Sequence, residues 1–295
     1  MKNRIKIDIE ELFTKIDVLP PYFALKNLEI DTENIVYASI PKEQNMGSEI
    51  GIISGAEVGR HLAILGSCAV ASINESEGKH YYLAYEATIK MINDEPYLAK
   101  LENEQIPYLL GKAKAEILSK KRAKAECSIL NEDGDILYTL DVNYKIVPEN
   151  MFLRINAQYI YTKKLVKTNP YLKPLEIFNQ RFENTLFKTT IGSVNPQWCL
   201  GHFLKVPVLP VAHLMYCITE CINQHLQVVI FKKAIKFQLI TSTIWAENIA
   251  FSGEIIDFES QFIESNNYNY HFICNAFAST NKNIGKIDAW IRVIE

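Results

Sequence analysis

A histidine followed at a fixed distance by two prolines and an apolar run can do chemistry. In "GHFLKVPVLPVAHLMYCITE", Gly201 to Glu220, His202 precedes Pro207 and Pro210, and an apolar stretch begins behind them. Imidazole exchanges a proton near neutral pH, so a histidine held at a fixed point serves as general base or acid. Proline restricts the backbone and suits the first turn of a helix. That first turn carries unpaired amides and partial positive charge, which suits a developing oxyanion. Tyr216 follows within the run, and a phenol is too weak an acid to serve as a carboxylic acid does at neutral pH. The plainer reading of His202 is a structural histidine bonded to a backbone carbonyl.

A second group lies in "SGAEVGRHLAILGSCAVASI", Ser54 to Ile73. Glu57 is three residues before Arg60 and four before His61, so the three share one side of a helix. Charge inside an apolar helix is costly unless paired or bound to an anion. Two readings stay open. Glu57 is the capping-box partner of Ser54 and pairs with Arg60 at a wet helix end, or the three face a pocket. His213 reads as a helix-face histidine and Glu220 as a solvated end. Cys217 and Cys221, one helical turn apart, read as core.

Two helices must position these groups. Ser54 to Ile73 is apolar or small on every face, as is Pro210 to about Gln227, and a helix apolar all round is buried. A strand region precedes each helix: "ALKNLEIDTENIVYASIP" and "NTLFKTTIGSV". Long alternating segments follow each one. In the first half these include "HYYLAYEATIKMI", "KAKAEI" and "RAKAEC", with "NEDGD" as a hairpin turn. In the second half they include "FKKAIKFQLITST", "YNYHFICNAFAST" and "GKIDAWIRVIE", with "TNKNIG" as a turn. The order strand, buried helix, antiparallel strands thus occurs twice, the halves meeting near residues 148–165. This predicts an α+β chain of two units, 1–150 and 151–295. Each has an antiparallel sheet wrapped around one buried helix, and the units join edge to edge into one continuous sheet with both helices on its concave side, because unpaired sheet edges seek partners.

"GHFLKVPVLPVAHLMY" resembles the motif His-Phe-Pro-Gly-x-Pro-x-x-Pro-Gly of the β-hydroxyacyl-ACP dehydratases, members of the hotdog superfamily. His202, Phe203, Pro207 and Pro210 match in register, while Leu204, Lys205 and Val211 replace the family's proline and two glycines. "GIISGAEVGRHLAILGS" is similar to the helix start of a diverged unit, with Gly51 to Ser54 in place of Pro207 to Pro210. The whole resembles a double hotdog. The resemblance implies His202 as the catalytic histidine, with the Val211 amide, after Pro210 and beside Phe203, on the thioester carbonyl. Gly55 takes the matching place in the first half. The carboxylate position falls on Tyr216 in the second helix and on Arg60, or His61, in the first, with Glu57 one turn earlier. Met46 stands where the first half would carry its histidine, so one site is expected at most. It would be built from His202 and some of Glu57, Arg60 and His61.

The first function this implies is a dehydratase acting on a β-hydroxyacyl thioester on acyl carrier protein or CoA. The alternatives are a hotdog thioesterase and an inactive acyl-binding subunit. No cofactor is implied.

The chain of 295 residues is 48% hydrophobic and 22% charged, with a net charge of −3, which disfavours general nucleic-acid binding. Six cysteines lie mostly in apolar runs, without zinc spacing, and read as reduced core thiols. "MKNRIKIDIEELF" lacks the apolar core of a signal peptide, and no run reaches a membrane span, so a cytoplasmic protein is expected. Six basic residues from Lys112 to Lys124 read as a solvated strand face, or as a landing patch for an acidic carrier protein. The internal pair already mimics a dimer, so a monomer or a higher homo-oligomer is compatible.

Overall fold

The computed structural model describes residues 3–92, 108–183 and 185–294. Asn184 and Glu295, at the ends of two expected strands, lie outside the described residues.

A short strand β1 (Arg4–Lys6) leads into helix α1 (Ile9–Lys15), capped by the Asp8 carboxylate on the amides of Glu10 and Glu11. Strands β2 (Lys26–Asp31) and β3 (Ile35–Pro41) follow, then helix α2 (Gly55–Ile73) and strands β4 (His80–Met91), β5 (Tyr108–Ser119), β6 (Arg122–Leu130) and β7 (Ile136–Pro148). A connector holding helix α3 (Glu149–Ile155) leads to β8 (Phe178–Glu183) and β9 (Leu186–Ser193). Helix α4 (Val211–His225) comes next, extended by a wider turn at Leu226–Phe231. Strands β10 (Lys236–Ala246), β11 (Ile255–Asn266), β12 (Asn269–Ala278) and β13 (Asn283–Ile294) complete the described chain.

Among the described residues, thirteen antiparallel strands form one continuous sheet, β1-β2-β3-β5-β6-β7-β4-β10-β13-β12-β11-β9-β8. The two units join edge to edge as expected: hydrogen bonding runs unbroken through the seam between β4 and β10, so their sheets form one. Leaving β1 aside, the first half runs β2-β3-β5-β6-β7-β4. The second half, followed from the opposite end, runs β8-β9-β11-β12-β13-β10. Each helix falls between the second and third strand of its half, so one order of elements occurs twice. At the seam Thr88 pairs with Thr243, and their hydroxyls lie 3.2 Å apart.

The alternation in the sequence sets which face of the sheet is dry. On β6, Ala123, Ala125, Cys127 and Ile129 point into the core, while Lys124 and Glu126 point away. The basic stretch is therefore an outer face with charges of both signs, and Lys124 pairs with Glu116 at 2.9 Å. "NEDGD" forms its turn, with Gly134 at φ +89° and the Asn131 side chain accepting from the Asp135 amide. Helix α2 is buried from Gly55 to Ala71 apart from half-buried Ala63, because strands enclose it and α4 crosses it. All six cysteines are buried and free. Among the described residues, no helix is long and apolar enough to cross a membrane.

The crossing of the helices is tight. A Cβ on Gly59 would lie 2.7 Å from Met215 Sδ, so the two axes approach at a position with no side chain. Gly59→Val will destabilise the chain by about 1–3 kcal/mol by overpacking this contact. A double-mutant cycle with Met215→Ala, followed by urea denaturation, will show part of that cost relieved. Additive losses would contradict the crossing.

Candidate active site

A cavity of about 410 Å³ opens between the two helices, against the seam. Gly59, Ala63 and Ser67, four residues apart, present one small-residue face of α2 to it. Val211, Leu214 and Met215 at the start of α4 form the opposing wall. Aromatic and aliphatic residues of β4, β7 and β10 make up much of the remainder, and Glu86, Lys145, Glu247 and Lys282 also border it.

His202 lines this cavity. The loop that carries it runs against the N-terminal segment. The Leu19 amide donates to the Gly201 carbonyl at 2.8 Å, and the Phe203 amide to the Asp17 carbonyl at 3.2 Å. The approach requires glycine at 201: its φ is +83°, and a Cβ there would run into the Leu19 carbonyl oxygen. Phe203 takes a left-handed φ of 55° and stacks on the imidazole at 4.1 Å.

The His202 ring has one fixed tautomer. Its Nδ1 lies 3.1 Å from the Val208 carbonyl, which can only accept, so Nδ1 carries the proton and Nε2 the lone pair. Burial pushes the imidazole down to about 4, against a smaller upward pull from the Val208 carbonyl and the Asp17 charge. At neutral pH it is an uncharged base. The structural bond and the chemical role, alternatives in the sequence, coexist on two different nitrogens.

No family model and no curated protein matches the sequence. Solved structures do match its fold. The tesB protein of Mycobacterium avium subsp. paratuberculosis is 10% identical, with a TM-score of 0.57, covering 94% of this chain and 100% of that one. A conserved protein of unknown function with hot dog fold from Alicyclobacillus acidocaldarius is 9% identical (TM-score 0.54; 91% and 96%). The 12:0-ACP thioesterase from Umbellularia californica is 8% identical (TM-score 0.54; 88% and 95%). The chain has the hotdog fold.

The two hotdog helices begin differently. Helix α4 starts behind Pro210, which provides no side-chain cap, and its first residue, Val211, borders the cavity. The start of α2 is filled from within. Ser54 Oγ accepts from the Glu57 amide at 3.3 Å, and Glu49 Oε1 accepts from the Gly55 amide at 2.9 Å. Burial raises the Glu49 carboxyl to about 7, the Gly55 amide opposing. Gly55 is therefore not at the cavity, nor is Pro210, while Phe203 and Val211 are.

Glu57, Arg60 and His61 are not where the sequence reading put them. They share a side of α2, but none lines the cavity with His202. Glu57 Oε1 accepts the Glu43 amide at 2.8 Å, so the carboxylate half of the capping box is spent on a distant loop. The Arg60 guanidinium donates to the Tyr22 carbonyl through Nε and Nη2, to the Pro21 carbonyl through Nη2, and to Glu43 through Nη1, at 2.7–3.0 Å. His61 lies 3.7 Å from Glu57 and is held below the ordinary imidazole range by burial. Glu43, Glu57 and His61 come within reach of a shared cation, and the Arg60 guanidinium on Glu43 supplies positive charge from the chain itself. Tyr216 is half-buried on α4, away from the cavity, its phenol raised to about 12 by burial. Sequence reasoning missed Tyr22, which lines the cavity with its ring centroid 4.8 Å from that of His202.

The titration of His202 follows. A depressed imidazole stabilises the fold fully above its unfolded value near 6.5, and that share is lost as pH falls through about 4. His213 and His225, lowered by burial to about 3 and about 4, act in the same direction. Glu49 acts in the opposite sense between about 4.5 and 7, so the share of His202 is read by difference. His202→Gln will flatten the pH slope of the unfolding free energy between 6.5 and 4. NMR of the wild-type imidazole will show a midpoint near 4 with Nδ1 protonated. A midpoint near 6.5 would contradict the site.

Proposed function

We propose that this chain hydrolyses acyl thioesters, with His202 as the general base and the start of α4 as the carbonyl-binding end. The supporting observation is a neutral imidazole whose free Nε2 belongs to a ring on the wall of an apolar cavity, close to an uncapped helix start. The likeness to the tesB protein and the 12:0-ACP thioesterase supports the same reading. Within it, the chain is two hotdog units, 1–150 and 151–295, with one working site at their junction.

The reaction is simple in outline. A water oxygen attacks the thioester carbonyl carbon and loses a proton to His202 Nε2. The carbonyl electrons move onto oxygen beside the first amides of α4, where the helix dipole and unpaired N–H groups favour negative charge. Collapse breaks the C–S bond, and sulfur takes the proton from the imidazolium. The products are a carboxylic acid and a free thiol. The acyl chain lies along the small-residue face of α2. The cavity volume is near the low end of the roughly 300–1,000 Å³ common for small-molecule sites, which favours chains short enough to be enclosed.

Dehydration, the first expectation from the sequence, needs an acid opposite the base. That position falls on Arg60 or His61: Arg60 is committed to the carbonyls of Pro21 and Tyr22 and to Glu43, His61 lies beside Glu57, and neither lines the cavity. Hydrolysis needs no such acid. Coenzyme A and acyl carrier protein both remain candidate carriers within this reading.

Acyl-CoA and acyl-ACP substrates of several chain lengths, assayed for free thiol, will show release by the wild type. His202→Ala will lose about 10²–10⁴-fold in kcat. Enoyl product from a 3-hydroxyacyl thioester, without thiol release, would overturn hydrolysis in favour of dehydration. Bound lipid without turnover of either kind would leave only a holding role.

A further inference from the structure

At residue 60, one of the two positions where the resemblance calls for a carboxylate, the first helix carries a fully buried arginine whose donors face a loop and not the cavity. That loop, residues 19–23, comes from the N-terminal segment, outside the repeated order of elements. Two of the Arg60 contacts are to the Tyr22 carbonyl and one to the Pro21 carbonyl, which fixes the peptides on both sides of the Tyr22 α-carbon. The phenol ring is held as well. It packs edge-on to His202 at 4.8 Å and against Tyr171 at 5.0 Å, and Arg60 Cζ lies 5.2 Å from its centroid. Tyr22 thereby stands on the cavity wall beside His202.

We propose that Tyr22 is a catalytic residue of this site: its hydroxyl, carried into the cavity by the Arg60 clamp, donates the hydrogen bond that holds the thioester carbonyl and its oxyanion. The inference rests on the hydrolase reading above. A phenol O–H on the cavity wall beside His202 is a donor that a substrate oxygen can accept. Burial raises the phenol to about 12, so it stays protonated and acts as a donor throughout the working pH range. The phenol transfers no proton in the cycle. It releases the hydrogen bond when the carboxylic acid leaves.

Tyr22→Phe removes the oxygen alone and keeps the ring packing. Steady-state thioester hydrolysis will show kcat lower by about ten- to a hundredfold, with KM changed by about threefold or less. Two non-hydrolysable analogues provide a readout independent of turnover: an acyl-CoA ketone, with a methylene in place of sulfur, and its carbonyl-free counterpart. The variant will weaken the ketone about tenfold and leave the carbonyl-free analogue unchanged. In the wild type, the ¹³C-labelled ketone stretch will move below its value in apolar solvent, a measurement that needs no variant. Wild-type hydrolysis that Tyr22→Phe leaves intact, with no ketone discrimination, would overturn the role of Tyr22 and leave the hydrolase reading standing. A wild type that neither hydrolyses thioesters nor binds either analogue would remove both.

Discussion

A sheet that curls around one helix ends in an edge of unpaired backbone groups, and the pairing of β4 with β10 is the constraint from which the rest follows. Each half brings its edge strand immediately after its buried helix, so joining those strands places α2 and α4 side by side. The helices then meet where Gly59 has no side chain, and the space between them is closed by residues of both halves. The cavity is a consequence of satisfying a sheet edge. It needs no separate device.

Symmetry of topology is not symmetry of chemistry. One helix start is capped by Ser54 and Glu49, and Met46 stands where a histidine would be needed. The other start is bare and has His202 nearby. Buried charge sorts in the same way. Arg60 sits inside a core where an unpaired cation would cost several kcal/mol, and it is tolerated because two carbonyls and one carboxylate accept its protons. Those acceptors lie on the loops around residues 21 and 43, so the requirement to satisfy one guanidinium also docks the N-terminal segment beside the cavity.

The parts legible in the sequence were those set by local pattern. The all-round apolar helix at Ser54 to Ile73, its Ser54 cap, the alternation in "RAKAEC" and the "NEDGD" turn all form as read. The position of His202 before a helix start was legible because it spans only nine residues. What was not legible depends on contacts far apart in the chain. Glu57 has the spacing of a capping partner, yet the amide of Glu43 takes its carboxylate. Arg60 and His61 share the expected helix side, but periodicity alone does not say that this side meets the loop at 21–22 and not a pocket. Tyr22 reaches His202 across 180 positions, and nothing in "LPPYFAL" marks such a contact. The break in symmetry could be read from the residues; its structural use could not.

The most direct test of the account is a crystal structure with an acyl thioester analogue bound. The predicted complex has the carbonyl between His202 Nε2 and the start of α4, with the chain running past Gly59, Ala63 and Ser67. A chain bound elsewhere, or an imidazole turned away from the carbonyl, would contradict it.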